Sequence, residues 1–210
     1  FSSTNPTVPF GNYNPDRDAF KQKAFNASVD WQLNSDWKLS AGAVYADGTN
    51  HFDDGPGVDT KSDARTTVLR AGVEGRITPD WTTRLNYNQG TDRSNALVSA
   101  SAFNIPGLFE TQQDQWTWQN DVKTPIGTVV AGAETLLQKV NSSTAYTVTE
   151  RRINAVFAGL SGTASGHSWQ LNARRDDNSQ FGGSSTGYAG YGYQFNPNWR
   201  AHAGYGTSFV

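Results

Sequence analysis

Several features are absent from this sequence, and each absence excludes a class of protein. The chain has no cysteine, which rules out a disulfide framework, a thiolate metal site and a cysteine nucleophile. No run of about 18 apolar residues occurs, so the sequence predicts no transmembrane helix. The formal net charge is only -2, and a chain without a basic excess lacks the electrostatic footprint of a nucleic-acid-binding protein.

The composition is poor in apolar residues but rich in aromatic rings. Hydrophobic residues make up 36% of the chain and the mean hydropathy is -0.62, values that alone would favour disorder. Disordered segments are poor in aromatics, whereas this chain has 7 Trp, 8 Tyr and 11 Phe. The 21 glycines are typical of many strands joined by turns, so we expect an all-β fold.

Strict alternation of apolar and polar residues identifies a first hairpin. The odd positions from Phe25 to Leu33 are apolar and the even positions are polar, as in a strand whose side chains alternate between two faces. The alternation resumes from Trp37 to Tyr45 after the turn residues 34–36. The pattern therefore predicts two antiparallel strands with one apolar and one polar face.

The same unit recurs along the rest of the chain. Further hairpins are predicted around the turns 78–80, 124–127 and 196–198. A weaker one has Ile153, Ala155 and Phe157 as the apolar side of its first strand. We count about ten strands of about ten residues, the length that a tilted strand needs to cross a bilayer. The sequence predicts a transmembrane antiparallel up-and-down β-barrel.

Short and long connections alternate between these strands. Trp37, Trp81 and Trp199 each follow a short turn directly, where a membrane barrel places its aromatic girdle. Bacterial outer-membrane barrels have short periplasmic turns and long extracellular loops, so we expect these rings at the periplasmic rim. The long polar loops are predicted at residues 47–65, 90–113, 141–150 and 176–185.

A soluble β-sandwich is the alternative to a barrel, since tryptophans after turns also cap sandwich cores. The polar faces of the predicted strands hold full charges, which a sandwich core would not bury unpaired. These faces are therefore expected to meet water in a lumen, and the apolar faces to meet lipid. The charged residues are Arg70, Glu74, Arg76, Arg84, Glu134 and Arg174.

Two acidic segments are candidates for a metal site. Residues 48–59 contain Asp53, Asp54 and Asp59, and residues 14–18 contain Asp16 and Asp18. Carboxylate oxygens suit calcium, but acidic loops are more often only solvated, and the spacing matches no EF-hand loop. The histidines are scattered and form no local metal set. A serine–histidine–acid set would require distant residues such as His202 and Ser208 to converge at one height of the barrel, and many such pairs can be drawn, so no enzyme is expected.

Three segments resemble the barrel of TonB-dependent receptors, and within that family they are most similar to the cobalamin receptors. They are residues 174–182 (RRDDNSQFG), 198–200 (NWR) and 205–209 (YGTSF). Residues 16–20 and 49–61 are similar to an acidic strand start and the next extracellular loop of the same receptors. The resemblance implies a 22-stranded barrel in the bacterial outer membrane with an N-terminal plug. It also implies cobalamin import driven through TonB.

The resemblance also implies calcium bound by the two acidic loops. By position, the ligands would be Asp16, Asp18, Asp53 and Asp59. Asn14 and Phe52 would be possible contributors, and Asp54 a near neighbour. We expect residues 1–210 to form a single section of barrel, with the plug and the other strands lying outside it. The alternatives are a siderophore or other metal-chelate receptor of this architecture, and a self-contained small barrel acting as an adhesin or enzyme.

Overall fold

The computed structural model describes residues 18–53, 59–98 and 107–209, and these residues form one antiparallel sheet. Ten strands lie side by side in chain order, as the sequence predicts. No helix in the described ranges is long and apolar enough to cross a membrane. The strands are β1 (Phe20–Gln32), β2 (Trp37–Asp53), β3 (Asp59–Thr78), β4 (Trp81–Val98), β5 (Gly107–Thr124), β6 (Gly127–Ser142), β7 (Glu150–Ala164), β8 (His167–Asn178), β9 (Gly182–Asn196) and β10 (Trp199–Gly206).

Short turns join the strands along one edge of the sheet, called here the turn edge. The Asn34 side-chain carbonyl accepts hydrogen bonds from the backbone N–H groups of Asp36 and Trp37, both at 2.9 Å, which is how an Asx turn replaces a backbone turn. Arg76 pairs with Asp36 at 2.6 Å. Its hydrogen bond, with a smaller one from Ser35, lowers the pKa of the Asp36 carboxyl from its ordinary value.

All three predicted rim tryptophans lie at this turn edge. Trp37, Trp81 and Trp199 are the first residues of β2, β4 and β10, which all start there. Trp37 covers Gly75, where an added Cβ would lie 2.4 Å from the indole ring. The Trp81 indole N–H donates to the Asn120 side-chain oxygen at 3.0 Å. The opposite edge, where the longer connections lie, is called the loop edge.

The strand register assigns each side chain to one of two faces. Residues that pair directly across an antiparallel ladder share a face, so a continuous row of partners identifies it. The row on the apolar face is Trp31, Leu39, Val73, Leu85, Trp118, Ala133 and Val156. The row on the polar face is Asp30, Ser40, Gly72, Asn86, Thr117, Glu134, Ala155 and Asp176. Both faces agree with the alternation in the sequence on every strand except β7.

On β7 the predicted apolar side was wrong. Ile153, Ala155 and Phe157 pair with Leu136, Glu134 and Gly132 of β6, so they lie on the polar face. The Phe157 ring fills the space above Gly132, where a Cβ would be 2.4 Å from the ring. The residues of β7 on the apolar face are instead Val156, Ala158 and Leu160.

The strands also continue well into the segments predicted as long loops. β2 reaches Asp53 and β3 begins at Asp59, and the β8–β9 connection is only residues 179–181. Strand lengths run from 8 to 20 residues rather than the predicted ten. In these outer parts polar residues predominate on both faces, so alternation disappears from the sequence although the backbone stays extended.

Ion pairs mark where the apolar face ends toward the loop edge. Asp47 pairs with Arg65 at 3.0 Å, Arg93 with Glu110 at 3.9 Å and Lys139 with Glu150 at 3.8 Å. All six residues share the register of the apolar face but lie above its aromatic and aliphatic rows. We call these residues the outer charged belt, and the apolar rows below them the apolar band.

Candidate functional site

The polar face carries a first cluster of ionised side chains across β3, β4 and β5. The Arg84 Nε donates to a Glu74 carboxylate oxygen at 2.6 Å, and its Nη1 pairs with Asp121. Gln119 donates to the other Asp121 oxygen at 3.0 Å. One guanidinium thus joins carboxylates from both neighbouring strands, and charge-assisted hydrogen bonds of this kind are stronger than neutral ones.

A second cluster of the same design joins β6 and β8 across β7. The Arg174 Nη2 lies 3.0 Å from a Glu134 oxygen and 2.8 Å from an Asp176 oxygen, and its Nε also donates to Asp176. Asp176 is only 5% exposed, packed beside Ala155 on the polar face. Of the charged residues that the sequence assigned to a polar lumen, Glu74 is therefore paired with Arg84, and Glu134 with Arg174.

Nearer the loop edge, the polar face contains two adjoining recesses of about 320 Å³ and 260 Å³. Thr111 and Gln113 line both of them. Among the polar-face residues lining them, only Asp92 and Arg151 are charged, and the Arg151 Nε donates to the Gln138 side-chain oxygen at 2.8 Å. The other lining side chains are mainly hydroxyls and amides: Thr66, Asn88, Gln115 and Gln138.

Sequence reasoning missed this surface. Threonine, asparagine and glutamine on a polar face have no spacing that distinguishes a ligand site from ordinary solvation. The two recesses together also span five strands, β3 to β7, so their residues are far apart in the chain. The pairing of Gln113 with Gln138 and Gly90 brings the parts together, and only the register reveals it.

The structure places some of the predicted calcium residues together at the loop edge of β1, β2 and β3. Asp53 and Asp59 are opposite each other in register. The Ala19 carbonyl accepts a hydrogen bond from the His51 N–H at 2.9 Å, which holds Asp18, the residue before Ala19, next to the end of β2. The backbones of Asp18, Asp53 and Asp59 therefore lie at one corner of the sheet.

The remainder of the predicted calcium set is not described. Asn14, Asp16 and Asp54 lie outside the described residues, as do the side chains of Asp53 and Asp59. Within the described part of the chain, no group of three or more His, Asp or Glu side chains is placed to hold a metal. The calcium site thus stays a prediction, supported at the backbone level by the convergence of β1, β2 and β3.

Comparison with known proteins identifies a family, and several solved structures have a similar fold. A family model described as "TonB dependent receptor-like, beta-barrel" matches residues 9–210. The RagAB peptide importer in its closed-closed state has a similar fold, with a TM-score of 0.66, 10% identity, and coverage of 89% of this chain and 32% of that chain. The translocator domain of the autotransporter NalP from Neisseria meningitidis aligns with a TM-score of 0.45 and 14% identity, over 90% of this chain and 74% of that one.

The likeness to the importer extends to the fold alone, and this chain spans about a third of its length. No conclusion rests on the looser agreement with the translocator domain. The family match covers nearly every residue and all ten strands. The chain therefore belongs to the TonB-dependent receptor-like β-barrel family and is part of a bacterial outer-membrane barrel.

Proposed function

We propose that this chain forms part of the wall of a TonB-dependent transporter that binds cobalamin at the cell surface and imports it. The observation that carries the proposal is the pair of recesses on the polar face near the loop edge. Their hydroxyl and amide lining, with one carboxylate and one guanidinium, complements a large ligand whose periphery is rich in neutral amides. The resemblance of residues 174–182, 198–200 and 205–209 to cobalamin receptors supports the same substrate.

Import itself requires parts outside this chain. In the proposed transporter, the plug domain would engage TonB, and the polar face would line the passage that the plug occupies. The paired charges around Arg84 and Arg174 would keep that wall hydrated and fixed in position, because each guanidinium links several strands.

The proposed recess is tested by the variant Gln113→Leu in the full-length receptor. Gln113 lines both recesses, and losing one ligand hydrogen bond of about 1 kcal/mol should weaken cobalamin binding about fivefold. The matched control is Gln170→Leu, which changes a polar-face residue near the turn edge. The measurement is equilibrium titration with cobalamin and, in parallel, with a ferric siderophore.

Cobalamin binding that is weakened by Gln113→Leu and unaffected by Gln170→Leu supports the proposal. If the receptor binds the siderophore and shows no detectable cobalamin binding, the cobalamin proposal is wrong, and the alternative, a metal-chelate receptor of the same architecture, takes its place. Equal cobalamin affinity in the wild type and in Gln113→Leu would remove the recesses from the binding surface.

Calcium is proposed as the ion that orders the loops above this surface. Asp16, Asp18, Asp53 and Asp59 would supply the carboxylates, and four carboxylates brought together repel one another unless a cation lies between them. Calcium accepts six to eight oxygens from flexible loops. Support comes from the backbone convergence of Asp18 with the facing pair Asp53 and Asp59.

The double variant Asp16→Asn with Asp59→Asn should lose most of its calcium affinity. Because binding coupling is reciprocal, calcium should tighten cobalamin binding in the wild type by the same factor by which cobalamin tightens calcium binding. Paired titrations of the full-length receptor measure both factors. The control is Asp47→Asn, since Asp47 lies on β2 but pairs with Arg65.

The site fails on these residues if the double variant binds calcium as the wild type does. The coupling fails separately if cobalamin binds equally well with and without calcium. The specific site is also contradicted if Asp47→Asn loses as much calcium affinity as the double variant. That result would show that any acidic residue at this edge contributes.

A further inference from the structure

A groove of about 520 Å³ lies on the apolar face, across β4 to β8. Its origin is a size difference along one row: Trp118 and Val156 flank Ala133 directly in register. Trp118 is 51% exposed and Val156 58% exposed, so both side chains stand out from the sheet while the alanine between them does not. The result is a trench along β6.

Two charged residues line the groove where it crosses β8, on the turn side of the outer charged belt. Arg175 and Asp177 form part of its lining, and Arg175 is opposite Val156 in register. The Lys139–Glu150 pair lies beyond it toward the loop edge. An occupant of the groove would therefore have its apolar part in the apolar band and its polar part among charged side chains.

The polar end of the groove has guanidinium N–H donors that are available to bind an anion. The Arg175 Nη1 donates to the Ser185 hydroxyl at 3.1 Å, which uses one of the five guanidinium donors. Arg152 lies on the same face of β7, toward the loop edge. Within the described ranges neither Arg152 nor Arg175 forms an ion pair. Together with the Asp177 carboxylate, the two guanidiniums give this end of the groove a net charge of +1.

The Arg175 guanidinium occupies space that is free because Gly183 has no side chain. A Cβ at Gly183 would lie 2.2 Å from the Arg175 Nη2, so a larger residue there would displace the guanidinium. The side chain thus extends over β9, where it remains exposed.

We infer that this groove binds a phosphorylated, acylated glycolipid of the outer leaflet, with one acyl chain in the trench over Ala133 and a phosphate on Arg175. The apolar face of an outer-membrane barrel meets lipid, and its long loops lie on the extracellular side. Arg175 is the ninth residue of β8 counted from the turn edge, which is about 30 Å along a tilted strand. The apolar band of such barrels is about 25 Å tall, so the guanidinium lies near the outer leaflet's headgroups. That leaflet is built from glycolipids carrying several acyl chains and phosphates. Arginine binds phosphate through paired, charge-assisted hydrogen bonds, and the volume lies within the range of ligand pockets.

A bound chain in this trench differs from ordinary annular lipid in its contacts. Trp116 and Trp118 on one side and Val156 on the other surround the chain with protein atoms, and many weak dispersion contacts add up. A chain on a flat part of the apolar band would touch protein on one side only. The site should therefore retain its lipid when the surrounding lipid is removed by detergent.

The test is native mass spectrometry of the delipidated full-length receptor, titrated with hexa-acylated, diphosphorylated lipid A. We expect one tightly retained lipid A, about tenfold weaker binding in Arg175→Gln, and loss of the retained molecule in Ala133→Trp, which fills the trench. Arg65→Gln is the matched control, because Arg65 belongs to the outer charged belt but lies over β3, away from the groove.

Phosphatidylethanolamine is the competing probe. Its retention at the same stoichiometry and affinity as lipid A would overturn the proposed glycolipid site, as would an equal loss of lipid A binding in Arg65→Gln and Arg175→Gln. A heat-modifiability gel shift checks that each variant is a folded barrel. If Ala133→Trp does not fold, Arg175→Gln against Arg65→Gln decides the outcome alone.

Discussion

Leu171→Arg is expected to destabilise the membrane-folded receptor by about 2 to 4 kcal/mol, whereas Asn172→Arg should have little effect. The two residues are adjacent on β8 but lie on opposite faces. Leu171 pairs with Leu160 and Ala189 in the apolar band and is 49% exposed, so in the membrane its side chain meets lipid. A guanidinium there would have to leave water for hydrocarbon.

Asn172 lies on the polar face, opposite Gly159 and Tyr188. Its side-chain oxygen occupies the space that a Cβ on Gly159 would enter, so a longer side chain has to extend into the aqueous lumen rather than toward β7. The measurement is reversible folding of the full-length receptor into lipid vesicles, followed by chemical denaturation. Equal losses of stability in the two variants would contradict the assignment of the faces.

The second large effect is expected for Arg174→Met. This change removes the only cation bonded to both Glu134 and Asp176 among the described residues and leaves two carboxylates close together, one of them almost fully buried. Breaking a buried ion pair costs about 3 to 5 kcal/mol. Since the Arg174 side chain is 35% exposed, solvent screening reduces the expected loss in the free energy of unfolding to about 2 to 3 kcal/mol.

The matched control is a triple variant, Arg174→Met with Glu134→Gln and Asp176→Asn. It removes the cation and both charges that depend on it, so it should recover most of the stability lost in the single variant. Both are compared with the wild type by the same vesicle denaturation experiment. If the triple variant is as unstable as Arg174→Met alone, packing of the arginine stem, and not charge pairing, holds this part of the wall together.

Much of the fold follows from local patterns in the sequence. Turn residues such as Asn34 and Asn196, followed by a strand that starts with tryptophan, determine the hairpins, and period-two alternation gives the two faces of β1 and β2. β7 shows why alternation fails elsewhere. It carries apolar side chains on both faces, because Phe157 covers Gly132 on the polar side, and a strand that is apolar on both sides has no period to detect.

The outer parts of the strands were missed for the opposite reason. Residues such as Asp47 and Arg65 lie on the same face as the apolar band but beyond its end, so both faces there meet water. Backbone hydrogen bonding keeps such segments extended without any alternation in polarity. The recess residues were missed because Gln113 and Gln138 become neighbours only through the register of β5 and β6. The calcium residues were proposed from resemblance, and nothing in the described side chains tests them.

The continuation of the sheet past the outer charged belt has a consequence for how a solute reaches the protein. Between Arg65 and Asp59, β3 extends six residues further, which at about 3.3 Å per residue is about 20 Å of hydrogen-bonded wall standing in the external medium. A molecule that diffuses toward the barrel therefore meets this ordered extramembrane wall before it reaches the bilayer plane. The wall restricts the directions in which the molecule can then diffuse. Because both faces of this extramembrane wall meet water and bury few apolar contacts, its amide hydrogens should exchange with solvent faster than those of the apolar band.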